Sequence, residues 1–242
     1  GQELKKDYKK NMSNIKAIDW KPYAGEETVD NITIRKGEKI ITKSFKPDLV
    51  KAVPKGNAYC IGNGPSRKGF DLTKLKATGQ TYGCNALYRD FIPDYIFCVD
   101  AKMALEMYQE KVHEKCWVYA PSLEVSRRKG FVLIPENTYT ITGNQAVWTA
   151  TVHGHKNIYL LGYDFREFGK DQLNNIYQDT VNYGPRTSDT IFEPWLSWFR
   201  KCIKWRPYCN FTIVHDNPPD YLYYVQTGTD LGNTKIISYK EF

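Results

Sequence analysis

The chain has no run approaching the roughly 18 consecutive apolar residues that a membrane-spanning helix needs, and its opening "GQELKKDYKK" lacks the apolar core of a secretory leader. A soluble, cytoplasmic protein without a membrane partner is the expectation. Its six cysteines (Cys60, Cys84, Cys98, Cys116, Cys202 and Cys209) never form the C-x₂-C pairs of a zinc ribbon, and four sit inside apolar runs. Buried free thiols are expected, and no metal. There is also no G-x-G-x-x-G fingerprint and no G-K-[ST] phosphate loop, which removes the usual support for nicotinamide binding and for ATP hydrolysis. No internal repeat or low-complexity tract is visible.

What is present is a chain of 242 residues, 41% hydrophobic and 14% aromatic, with a formal net charge of +7. That composition is globular, and the charge favours a polyanionic partner without saying anything about fold. Residues 1–50 differ from the rest: a polar arm, helical or frayed, precedes "VDNITIRKGEKIITKSF", which reads as a β-hairpin around Lys36 and Gly37. Residues 51–242 then form the main domain. Seven apolar runs follow Pro54: "NAYCIG", "TYGCNA", "DYIFCVD", "CWVYA", "FVLIP", "NIYLLGYDF" and "NFTIVHD". Such runs do not alternate, so they read as strands buried on both faces. The fold class is α/β, a mainly parallel Rossmann-like sheet with helices on both faces at 101–112, 143–153 and 190–205. In the last of these helices Trp195, Trp198, Phe199, Cys202 and Ile203 form one apolar stripe, with Asp189 as its cap. His153 and His155 read as surface groups at a helix-to-strand turn.

Ligands of open parallel sheets bind beyond the carboxyl ends of the strands. There the sequence places Gly62, Asn63, Gly64, Pro65 and Ser66 after the first run, Asn85 after the second, Asp100 after the third, and Asp164 and Arg166 after the sixth. Thr142, Gly143 and Asn144 open a helix whose first N–H groups favour an anion. The glycines of "GNGPS" would give the turn positive φ and let its N–H groups approach a phosphate. Asp100 also reads as a helix N-cap, and Asp164 as a carboxylate that bonds turn N–H groups.

The ordered set "GNGPS", "YGCNALYRD" and "ITGNQAVWTATVHGHKNIYLLGYDF" resembles the bacterial lipooligosaccharide sialyltransferases over 58–166. The G-x-G-P-S turn is shared with MptE-like pterin pyrophosphokinases. The first resemblance implies a metal-independent glycosyltransferase of the GT-A type that uses a nucleotide-activated sugar. Asn63 and Gly64 would then meet the nucleotide phosphate or ribose, Asn85 the nucleotide, and Thr142 and Gly143 the base or ribose, with Asp100 near the sugar. The chain departs from that family in having Arg166 where it has a phosphate-binding tyrosine. It has Pro185 and Arg186, but no histidine, near the position of the family's catalytic histidine. Tyr177 or Tyr183 would replace a second phosphate-binding tyrosine.

Arg166 and Arg186, with a tyrosine hydroxyl, would stabilise the leaving phosphate. Asp100, or in second place Asp164, would take the acceptor proton. The basic stretches "KKDYKK", "SRRKG" and "FRKCIKWR" and a composition with a bacteriophage flavour point to double-stranded DNA with hydroxymethylated pyrimidines as the acceptor. A sialyltransferase acting on a glycan, a pyrophosphokinase and a non-catalytic nucleotide- or DNA-binding module are the alternatives.

Overall fold

A computed structural model describes residues 15–19, 30–36, 39–45, 55–135, 140–167, 175–184, 190–191, 193–227 and 232–242. The first three strands, β1 (Ile15–Asp19), β2 (Asp30–Lys36) and β3 (Lys39–Phe45), make a small antiparallel sheet in the order β1-β2-β3. The expected hairpin is β2 with β3, and β1 adds a third strand beside it. The turn at Gly37 lies outside the described residues.

The main sheet has eight parallel strands. They are β4 (Asn57–Ile61), β5 (Gly79–Cys84), β6 (Tyr95–Phe97), β7 (Trp117–Ala120), β8 (Phe131–Leu133), β9 (Asn157–Leu161), β12 (Asn210–Val214) and β13 (Thr234–Ile237). The short strands β10 (Arg166–Glu167) and β11 (Thr190–Ile191) pair with each other outside it. In the main sheet the order is β13-β12-β9-β4-β5-β6-β7-β8. The chain therefore starts in the middle at β4, steps outward to β8, and crosses back through a helix to β9 on the other side of β4. That reversal makes the gap between the carboxyl ends of β4 and β9 a topological switch point, where such sheets leave a crevice. The α/β parallel architecture expected from the apolar runs is the one observed.

Among the described residues five α-helices accompany the sheet: α1 (Ala101–Gln109), α2 (Ser122–Arg127), α3 (Thr142–Val152), α4 (Glu193–Trp205) and α5 (Asp220–Thr227). Two apolar layers flank the sheet because alternate strand residues face opposite ways. Ala58 and Cys60 of β4 join α3 and the α4 stripe of Phe199, Cys202 and Ile203 in one core, while Tyr59 and Ile61 join Leu87, Met103 and Met107 in the other. Trp195 and Trp198 pack against the first core, and Lys201 and Lys204 of α4 are exposed, so the helix presents the stripe its spacing predicts. Asp189 lies outside the described residues. All six thiols are free, and five are buried. Burial pushes the Cys84 thiol up to about 12, with nearby Arg67 pulling in the opposite direction, so it is not a thiolate at neutral pH.

His153 and His155 depart from expectation, since they are 7% and 1% exposed. Burial pushes His153 down to about 3, helped by His155, and burial also lowers His155 against its bond to Gly56. Both rings are therefore neutral, and their proton positions follow from the Gly56 carbonyl, which can only accept. His155 Nδ1–H donates to it at 3.2 Å, so His155 Nε2 accepts from the Tyr82 hydroxyl at 3.0 Å. Tyr82 then accepts from His153 Nδ1–H at 2.7 Å, and His153 Nε2 accepts from the Tyr119 hydroxyl at 3.2 Å. The two histidines tie the end of α3 to β5 and β7, a structural duty that the polar look of "VHGHK" conceals.

Candidate functional site

At the switch point the loops after β4 and β9 lie against each other. Gly62 N–H donates to the Leu161 carbonyl at 2.8 Å, Gly64 N–H to the Gly162 carbonyl at 2.9 Å, and Ser66 N–H to Asp164 Oδ2 at 3.1 Å. These bonds consume N–H groups that the sequence reading assigned to a phosphate. The glycines are explained the same way. A Cβ on Gly62 would stand 2.5 Å from the Gly162 carbonyl oxygen, and one on Gly64 would stand 2.4 Å from Asp164 Oδ2. Positive φ plays no part at Gly64, where φ is −68°, and the left-handed residue is Gly162 at +72°. "GNGPS" thus fits two loops together and fixes the side chains that follow.

Asn63 Nδ2 donates to the Cys84 carbonyl at 2.9 Å, tying β4 to β5. Pro65, Ser66 and Arg67 form a single 3₁₀ turn, in which proline suits the first position because its missing N–H would have no partner. Arg67 folds back: its Nε donates to the Gly62 carbonyl at 2.6 Å, and its Nη2 to Asn63 Oδ1 at 3.2 Å and to the Tyr177 hydroxyl at 3.5 Å.

The segment 175–184 covers this corner. Ile176 N–H donates to the Asn63 carbonyl at 2.9 Å, and Arg89 and Lys102 hold the far part of the segment through the Val181 and Asn182 carbonyls at 2.9 Å each. Glu106 anchors that clamp, because it accepts from Arg89 Nε at 2.9 Å and from the amide of Asn182. Tyr177 and Tyr183 face each other at 6.3 Å between ring centroids.

On the other flank Asp164, 5% exposed, spends Oδ2 on the turn, while Oδ1 lies 3.6 Å from His215 Nε2. Asn217 N–H donates to His215 Nδ1 at 3.1 Å, which puts the proton of the neutral ring on Nε2, facing Asp164. Burial lowers the His215 pKa, and Asp164 and then Asp216 oppose it. Phe165, next in the chain, holds a left-handed φ of +50°, a costly conformation for an aromatic residue. It is stabilised by stacking on Phe199 at 5.4 Å. Tyr163 donates to the Gly143 carbonyl at 2.8 Å and so brings the start of α3, with Thr142 and Asn144, to the same edge. The Asn144 amide is occupied by Thr140 Oγ1 and the Trp195 carbonyl, each at 3.2 Å.

The structure therefore brings Gly62, Asn63, Gly64, Pro65, Ser66, Asp164, Tyr177 and Tyr183 to one corner, with Asn85 at the end of β5. Asn85 has a left-handed φ of +53°. Asp100 stands two strands from β4, at the N-cap of α1, yet its side chain makes no capping bond. The N-cap reading thus holds for position but not for the carboxylate. Arg166 enters β10, and Arg186 lies outside the described residues. Among the described residues, four buried polar atoms around this edge have no partner: Ser66 Oγ, Asn85 Oδ1, Asn144 Oδ1 and the Tyr239 hydroxyl, while Asp164 Oδ1 has only the long contact with His215. Among the described residues there is no group of three or more His, Cys, Asp and Glu placed to hold a metal ion, and no helix is long and apolar enough to cross a membrane.

Sequence reasoning missed Arg67, His215 and Tyr239. His215 was within reach of the rule applied to the other runs, being the first residue after "NFTIV". Nothing local distinguishes Arg67 from a surface arginine in a polar turn. Compared with family models, curated proteins and solved structures, the chain matches none.

Proposed function

We propose that the chain is a transferase that moves a sugar from a nucleotide-activated donor to an acceptor hydroxyl, with the donor seated where β4, β5 and β9 end. The observation that carries this reading is the set of orphaned polar atoms at that edge. A buried polar atom without a partner costs about 1–3 kcal/mol, and two of them, Ser66 Oγ and Asn85 Oδ1, follow the neighbouring strands β4 and β5, beside Asp164 Oδ1 after β9, whose one contact is the 3.6 Å approach of His215. A polar ligand with several hydroxyl and phosphate groups would satisfy them together. Asn63, Asn85 and the start of α3 hold the nucleotide, and Tyr177 and Tyr183 close over it.

In the transfer, the acceptor oxygen forms a bond to the anomeric carbon while the bond from that carbon to the phosphate oxygen breaks. The nucleotide leaves with the electron pair. Asp100, whose carboxylate is free of any capping bond, takes the acceptor proton. Asp164 is the weaker choice for this role because one of its oxygens already holds the Ser66 N–H.

DNA with hydroxymethylated pyrimidines is the acceptor to test first, on net charge. The test is a thermal-shift panel of CMP, UMP, GMP, UDP and ATP, followed by donor breakdown with and without that DNA. Stabilisation by one nucleotide and acceptor-dependent release of it support the reading. ATP-dependent turnover of a pterin would replace it with a pyrophosphokinase, and binding without breakdown would replace it with a binding module.

A further inference from the structure

We infer that Arg67 is the anchor for a phosphate group of the ligand, which it holds through Nη1 beneath the Tyr177 hydroxyl. The identity of the ligand rests on the transferase reading, but the anion site does not. A guanidinium has five N–H groups, and the three bonds described use the one on Nε and two on Nη2. The two on Nη1 have no acceptor among the described residues. All three acceptors are neutral, so the charge is hydrogen-bonded but not balanced.

The residue is only 6% exposed, and among the described residues no carboxylate lies within ion-pair distance of it, Asp90 reaching only Tyr177. Burying an unbalanced cation is costly, and an anionic ligand removes the cost. Two other partly buried arginines meet carboxylates, Arg89 at Glu106 and Arg128 at Glu124. Arg67, more buried than either, has neutral acceptors and stands at the switch point.

The surroundings suit phosphate. Ser66 Oγ, one residue before, is buried without a partner, and so is the Tyr239 hydroxyl. Burial raises the Tyr239 phenol, which lies within electrostatic reach of both Asp164 and Arg67. A planar fork with two free N–H groups, flanked by hydroxyl donors, matches the oxygen geometry of a phosphate. The Asp164 carboxylate does not take the guanidinium, since its Oδ2 accepts from Ser66 N–H and its Oδ1 faces His215.

Calorimetric titration of the full chain with inorganic pyrophosphate tests the inference, using wild type, Arg67→Lys, Arg67→Met and Tyr177→Phe. Wild type should bind, Arg67→Lys should bind at least tenfold more weakly, and Arg67→Met should not bind. Tyr177→Phe leaves the guanidinium in place and should weaken binding several-fold. If Arg67→Met fails to fold, as circular dichroism would show, the other two variants carry the comparison.

Absence of pyrophosphate binding by wild type overturns the inference, as does equal binding by Arg67→Lys and Tyr177→Phe. The same titrations with the nucleotide panel separate the two proposals. Nucleotide binding unchanged in Arg67→Lys would sink the anchor and leave the transferase reading standing. Arg67-dependent pyrophosphate binding with no nucleotide bound would do the reverse.

Discussion

A methyl group on residue 64 would stand 2.4 Å from Asp164 Oδ2 and 2.7 Å from the Gly162 carbonyl oxygen, distances that no Cβ tolerates. Gly64→Ala must therefore push the two loops apart, at a cost of about 1–3 kcal/mol as for other overpacked sites. Urea unfolding should show a lower midpoint with an unchanged slope. The same displacement moves Asp164, so nucleotide binding should weaken as well. Asp100→Asn is a contrasting case, because the side chain makes no capping bond to lose. Stability should stay within about 0.5 kcal/mol of wild type, while turnover falls about a hundredfold with nucleotide binding retained. Equal loss of binding and turnover would argue against a proton-transfer role. At this scale the sequence showed which residues follow strands, because that depends on order alone. It could not show that the N–H groups of "GNGPS" face β9, since that pairing joins residues about a hundred positions apart.

Strands, by contrast, were legible wherever both faces are covered. All seven apolar runs became strands of the main sheet, from β4 to β9 and β12. The eighth, β13, "TKII", escaped notice because this edge strand is too little covered to need an apolar run: Lys235 is exposed and Ile236 and Ile237 are only half-buried. The histidine pair escaped for a different reason. Polar residues at a turn resemble solvent-facing groups unless their hydroxyl partners, Tyr82 and Tyr119, are known to lie beneath them.

That network predicts a pH dependence. The folded-state pKa values of His153 and His155 lie below the ordinary value of about 6.5, so as the pH falls past it the unfolded chain takes up protons that the folded chain refuses. Stability is full above that pH and declines below it, by about 1.4 kcal/mol per unit for each histidine concerned. For His153 the decline continues to about pH 3. Guanidinium unfolding between pH 7.5 and 4.5 would check it, and a flat profile would contradict buried neutral rings. Tyr82→Phe strands one donor and one acceptor, and should cost about 2–4 kcal/mol at neutral pH.

For the whole molecule, a parallel sheet separates its two ends. Strands β4, β9 and β12 are each five residues long, which sets the carboxyl edge about 17 Å from the amino edge. The candidate site is at the carboxyl edge. α4 runs back toward the amino edge to feed β12, so Lys204, Trp205 and Tyr208 gather there, the last two well exposed. The basic stretch at Arg127, Arg128 and Lys129 leads into β8 and also lies at the amino edge. Both clusters looked like acceptor contacts in the sequence, where distance along the chain says nothing about which end of a strand is near.

A duplex resting on those clusters would not present a base to the crevice. If hydroxymethylated DNA is the acceptor, Lys201→Ala with Lys204→Ala should leave DNA-dependent donor breakdown unchanged. Lys68, exposed and adjacent to Arg67 at the carboxyl edge, should matter more. Losing one phosphate contact reduces the slope of log K against log salt by about 0.9. Lys68→Ala should therefore lower the slope for modified DNA by about one, measured by fluorescence anisotropy between low and moderate salt, and the double lysine variant should not lower productive binding. A reversed pattern would place the DNA on the amino edge, too far from Asp100 for that carboxylate to act on it.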